Sequence, residues 1–298
     1  MPRFLTSSGK AYLLLALAGL CWSGTHVVGR AMAGHVPPMG ATFIRWSVPI
    51  LILLPFAWPH LKRDWSLIRR HWLILTCFGL PGGPVFAALQ YTGLQYTTAL
   101  NASIMNSVSP VLVAAFGAIL FRDRLRPLQA LGVATSLAGV LTVISRGNFE
   151  ILRTLALNWG DVLLAINQTS WAVYTTCLRL KPPIHWLSFL FIICVLSTIG
   201  IVPLWVHEMQ SGYVFQATWL TFGSLAFMAI FSGMVAFACF NVGTELIGAN
   251  RASPFTHLIP LYSAVLSMVF LDEHLQPFHV VGFFTILAGV WLAARGKG

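Results

Sequence analysis

Charge is what this sequence lacks. Only 9% of its 298 residues are Asp, Glu, Lys or Arg, against about 25% in soluble domains. No polar stretch is long enough for a water-soluble domain. Acid is scarcest, with 8 Asp and Glu against 18 Lys and Arg, and no acid lies deep in an apolar run. Cysteine is sparse as well. Cys21, Cys77, Cys177, Cys194 and Cys239 all fall in apolar segments, are odd in number and form no CxxC pair, which excludes a disulfide framework and a zinc site. Catalytic patterns are missing too. His207-Glu208 meets Ser211 where an HExxH helix needs histidine, Gly160-Asp161 has no second intramembrane acid, Ser23-Gly24 sits in no nucleophile motif, and no glycine-rich phosphate loop follows a strand. The sequence therefore predicts neither an enzyme nor a bound metal or cofactor. The net charge of +10 does not point to nucleic acid, because the basic residues lie in short separators between apolar runs.

Those runs are what the chain has in plenty. Hydrophobic residues make up 57% and the mean hydropathy is +0.78. A helix needs about 20 mostly apolar residues to cross a bilayer. By that measure spans are predicted near 11–32, 39–59, 72–94, 98–121, 127–145, 159–179, 184–206, 218–243, 249–271 and 277–295, an all-α polytopic membrane protein. Arg3 and Lys10 precede the first run and Ala31-Met32-Ala33 imitates a signal-peptidase site. The run continues past Trp22 to Val28, longer than a signal core, so the first helix is expected to be retained. Separators include 35–38 with two prolines, the charged segment 60–71, and Lys181-Pro182-Pro183. With ten spans, most Lys and Arg fall on the side of the termini, including Lys62, Arg63, Arg69, Arg70, Arg122, Arg124, Arg126 and Lys181, while Arg30, Arg146 and Arg153 face the other side. This asymmetry predicts a plasma (inner) membrane protein with both termini cytoplasmic.

Residues 99–140 align without a gap on 249–290. The pairs include Ala99/Ala249, Ser103/Ser253, Pro110/Pro260, Pro127/Pro277, Gly132/Gly282 and LAGV at 137–140 against 287–290. At an offset of 149, Trp22 meets Trp171 and Arg30 meets Arg179. The chain reads as two five-helix repeats, 1–150 and 151–298. Five is odd, so the second copy runs through the membrane inverted. The basic loop RDRLRP at 122–127 against the acidic LDEHLQP at 271–277 fits opposite faces. Two halves related by an axis in the membrane plane open a midplane site to each side in turn, which is the logic of a carrier.

Two five-span repeats, a Trp in the first span of each half, and an S-x(6)-P helix followed by a short charged loop, L-x-P and a G-x(6)-G helix resemble the drug/metabolite transporter superfamily, EamA type. Within it, the sequence looks like bacterial exporters of aromatic and other amino acids, of the YddG kind. The resemblance implies a central cavity built by spans one to four and six to nine, with spans five and ten peripheral.

Polar groups inside a bilayer are costly and face a cavity or another helix. Trp22 and His26 share one face of span one, as do Trp171 and Tyr174 in span six. Tyr91, Asn101, Asn106 and His257 add hydrogen-bonding groups. These eight are the expected substrate-binding residues. Gln168 belongs to the span-six stripe. Arg45 either meets a carboxylate or snorkels to the interface. Asp161 reads as the N-terminal acid of span six, complementing the helix dipole. The absence of a deep carboxylate predicts facilitated diffusion or exchange. Multidrug and other metabolite carriage remain alternatives. The partners expected are a small-molecule substrate, most simply an amino acid, and the lipid bilayer; the protein is expected to be a monomer.

Overall fold

The computed structural model describes residues 7–122, 127–148, 150, 158–212, 215–247 and 253–295. The described residues contain helices and no strand. In chain order the helices are α1 (Ser7–Ala31), α2 (Pro38–Arg70), α3 (Trp72–Gly93), α4 (Ala99–Met105, then a 3-10 turn Asn106–Val108, then Ser109–Phe121), α5 (Pro127–Ile144), α6 (Trp159–Cys177), α7 (Trp186–Gln210), α8 (Trp219–Thr244), α9 (Leu258–Leu271, led by the 3-10 turn Ser253–His257) and α10 (Pro277–Arg295). Among the described residues, six helices (α1, α2, α3, α5, α7 and α8) are long and apolar enough to cross a membrane. The α4 pair, bent by 44°, makes a seventh. α6 falls short because Asp161, Asn167 and Gln168 dilute it, and all three are buried by neighbouring helices. Large apolar side chains such as Leu51, Ile119 and Phe270 stand exposed on the outside of the bundle. That surface suits hydrocarbon and not water.

The charged segment 60–71, expected as a loop, is helix up to Arg70. Leu61, Asp64 and Ile68 recur on one buried face, while Lys62, Arg63, Arg69 and Arg70 project outward. The charge density marked the point where an amphipathic helix leaves the apolar layer, not a change of backbone. The Asp64 carboxylate fixes this extension, accepting from His185 N and Ser188 Oγ, each at 2.8 Å.

The two halves pack alike. α1 lies on α8 and α9 as α6 lies on α3 and α4, and α2 meets α8 as α7 meets α3. The pairs α2–α7, α4–α9 and α5–α10 join equivalent helices. Local irregularities repeat as well. Each half has a π-helical turn in its third helix, at Pro81–Val85 and Met228–Val235. Each fourth helix ends on a left-handed residue, Arg122 (φ 56°) and Asp272 (φ 52°), whose N–H caps Gly117 O and Ser267 O. At an offset of 150 the first π-helical turn falls on 231–235, within the second, and Arg122 and Gly117 fall on Asp272 and Ser267. α5 and α10 cross on glycine: a Cβ on Gly139 would lie 2.8 Å from Gly282 O, and one on Gly289 2.6 Å from Gly132 O. Because 139 meets 282 and 132 meets 289, the two helices run antiparallel. So do α2 and α7, where Gly40 N bonds Glu208 and His185 N bonds Asp64.

Candidate functional site

α1 brings Trp22 and His26, one turn apart, against the middle of α6 and α8. Trp22 meets Trp171 edge-on (6.1 Å between ring centroids, 74°) and Phe237 likewise (5.6 Å, 85°). Phe86 tilts against Trp171 at 5.1 Å. These rings form one wall of a narrow cavity of about 50 Å³. Its other wall is polar, made of Thr25, His26, Arg45, Gln90, Asn106, Ser109, Gln168 and Thr256, with Ile259 closing one side. Among the described residues that line it none is acidic, and α5, α7 and α10 contribute none of them.

A hydrogen-bonded chain crosses the polar wall and ties four helices together. Asn106 Nδ2 and His26 Nε2 lie 3.0 Å apart. The Gln168 amide donates to Asn106 Oδ1 and, at 2.9 Å, to Asn167 Oδ1. Ser109 Oγ donates to Gln168 Oε1 at 2.7 Å, and Asn167 Nδ2 donates to Phe86 O at 2.5 Å. The 3-10 turn in α4 begins at Asn106 and ends just before Ser109, so the mid-helix break sits on the cavity wall, as such breaks do at functional hinges.

Arg45 is 1% exposed. Its guanidinium donates to Tyr91 Oη at 2.7 Å and lies 5.6 Å and 5.8 Å from the ring centres of Trp46 and Tyr91. Arg45 Nε and Gln90 Oε1 are buried without a hydrogen-bond partner among the described residues. One lone donor on a cation and one lone acceptor thus belong to the same cavity lining.

Of the expected residues, Trp22, His26, Asn106 and Trp171 line the cavity. Tyr91 stands behind Arg45 and positions it. Tyr174 tilts against Trp171 at 5.1 Å and packs over Gly82, where a Cβ would run into its ring. Asn101 belongs to a different polar cluster, bonded to Asp161 and His279. His257 is half-buried in the 3-10 turn before α9 and does not line the cavity, although its neighbour Thr256 does. Sequence reasoning underrated Arg45. The signal was there, a basic residue inside an apolar span, but its place near the start of that span allowed snorkelling. Phe237 and Ser109 carried no signal, because aromatic and small polar residues are common throughout. Among the described residues no group of three His, Cys, Asp or Glu is placed to hold a metal.

The EamA-like transporter family matches this sequence twice, over residues 9–145 and 158–295. The chain belongs to that family. Other proteins resemble it along most of its length. An uncharacterized transporter of Archaeoglobus fulgidus is 29% identical, covering 96% of this chain and 97% of its own. The uncharacterized transporter YyaM of Bacillus subtilis is 25% identical over 95% and 93%. The chloramphenicol-sensitive protein RarD of Pseudomonas aeruginosa is 26% identical over 85% and 81%. A crystal structure superposes with a TM-score of 0.64 over 95% of each chain at 19% identity, a likeness of fold. The protein is thus a membrane transporter, and its family and relatives indicate carriage and not catalysis.

Proposed function

We propose that this EamA-family transporter exports amino acids with sizeable apolar side chains by alternating access. The observation that carries the reading is the pairing, in one cavity, of an aromatic wall with a buried, acid-free Arg45. A substrate carboxylate would take Arg45, whose charge has no acidic counterpart in the lining. The ammonium would take the unpaired Gln90 Oε1. The side chain would lie among Trp22, Trp171 and Phe237, where stacking contacts add on the order of 1 kcal/mol each. A cavity of about 50 Å³ has room for only a few water molecules. Loading therefore requires the α1 and α6 rings to separate, as the opening of one end of the bundle would separate them.

The proposed topology is ten transmembrane helices as two inverted repeats, 1–150 and 151–298, in the inner membrane with both termini cytoplasmic. Supporting it are the antiparallel course of α2 against α7 and α5 against α10, the exchange-invariant packing, and the basic character of the predicted inner loops. The test is uptake into proteoliposomes of a labelled panel covering amino acids, their decarboxylated amines and unrelated drugs. Counterflow restricted to carboxylate-bearing apolar solutes supports the reading. Transport of amines or drugs in preference to amino acids overturns it.

A further inference from the structure

Away from the cavity, one buried acid is left over. Asp161, in the first turn of α6, is fully buried. Its Oδ1 accepts from Thr97 Oγ1 at 2.6 Å and from Asn101 Nδ2 at 3.3 Å. Its Oδ2 is buried and has no partner among the described residues. Asn101 Oδ1 in turn pairs with His279 Nε2 at 2.9 Å. His279 Nδ1 accepts from Gln276 N at 3.0 Å, so Nε2 carries the hydrogen and donates. The cluster joins the α3–α4 turn, α4, α6 and α10 at one end of the bundle, the outer end in the proposed orientation. The charged and titratable groups around it are Arg146 from the end of α5, which acts electrostatically on both Asp161 and His279, His279 from α10, Glu273 from the α9–α10 turn, which binds Ala99 N and Leu100 N, and Arg30 from α1, which binds Leu94 O and Gln95 O.

The cluster is no relic of the repeat. The positions equivalent to Asp161, Thr97, Asn101 and His279 in the opposite halves are Tyr12, Ile247, Arg251 and Gln129. The two-fold relation between the halves therefore does not repeat these residue types. The donors Thr97 and Asn101 point hydrogens at the carboxyl, which suits no metal cation, since a metal needs oxygen lone pairs facing it. The small cation that remains is the proton.

We propose that Asp161 is a proton-binding site that latches the outer end of the transporter closed. With the end closed, an ionised carboxylate would hold one oxygen buried and unpaired, a costly arrangement; a proton on Oδ2 removes the charge and lets the end close. When the α3–α4 turn and α10 part from α6, water reaches Oδ2, the O–H bond breaks and the proton passes to water as hydronium. The ionised, hydrated carboxylate then opposes reclosure. Acid outside therefore favours the closed outer end and slows release. The site lies about 10 Å along α6 from Gln168, seven residues away, on the same helical face, so the latch and the substrate cavity share one rod. The inference rests on the transporter reading but not on the amino-acid assignment.

The experiment has two readouts on the full-length protein in liposomes. Infrared difference spectra between acid and neutral pH, without substrate, should show a titrating carboxylic C=O band that Asp161→Asn removes and that Asp161→Glu and His279→Gln retain. Counterflow of a substrate found in the panel, with the pH of each side set separately, should slow several-fold on external acidification in the wild type. Asp161→Asn, a fixed mimic of the protonated acid, should be slow at every external pH. If Asp161→Asn does not fold, Thr97→Val should shift the pH midpoint of the same band and of counterflow. The other acids of the chain contribute bands that both proteins share, so the test is the wild type minus Asp161→Asn double difference; a double difference with no carboxylic C=O component, or an external-pH profile that the variants leave unchanged, overturns the latch. A profile that follows internal pH overturns the orientation alone, and a normal band in a protein that moves no amino acid overturns the substrate reading alone.

Discussion

Arg45 gives the sharpest test of the substrate reading. Replacing it by Met removes the one Lys or Arg among the described lining residues and keeps an unbranched side chain of similar length. Tyr91 would be left with an unsatisfied hydroxyl, since it accepts from Arg45 at 2.7 Å, so the substitution is best made as Arg45→Met with Tyr91→Phe, and Tyr91→Phe alone as the control. A hydrogen bond to a charged group is worth about 1.5–3 kcal/mol, and about 1.4 kcal/mol corresponds to a factor of ten. The apparent affinity for an amino acid should therefore fall about 10- to 100-fold. The matching amine, which has the same side chain and no carboxylate, should lose little, and the ratio of acid to amine should collapse toward one. The assay is competition of each compound against counterflow of a labelled amino acid in proteoliposomes, with thermal unfolding in detergent to confirm that the variants are folded. Equal losses for acid and amine, or no loss for either, would refute the assignment of Arg45 to the carboxylate.

Three further outcomes are expected. Trp22→Ala and Trp171→Ala should each reduce transport several-fold without loss of protein from the membrane, each lost ring contact being worth on the order of 1 kcal/mol; unchanged kinetics in both would move the site to another face of α1 and α6. A cysteine at Ser66 should react with an impermeant thiol reagent only from the cytoplasm and one at His274 only from outside, and the opposite labelling would invert the topology. Gly139→Leu should destabilise the protein by about 1–3 kcal/mol through overpacking, because a side chain there meets the Gly282 backbone at 2.8 Å; a melting point equal to the wild type's would contradict the antiparallel glycine seam.

Composition and periodicity determined the class of this protein. With so few charges and so many apolar runs, the helices form wherever the chain must satisfy its backbone without water, and the repeat at offset 150 dictated that equivalent helices pack in equivalent ways. The Trp22/His26 stripe was legible because residues four apart on a helix share a face. Tertiary structure decided the rest. Nothing local distinguishes Asn101, bonded to Asp161 and His279, from Asn106, which faces the cavity; their contrast arises from which helix lies opposite. Likewise Arg45 is buried and not snorkelled only because Tyr91 of α3 meets it, and Asp161 is a buried acid only because Thr97 and Asn101 close over a position that looked terminal. A sequence states which side chains are costly in a membrane, but the partners that offset that cost come from remote segments, and only the packing of the helices brings them together.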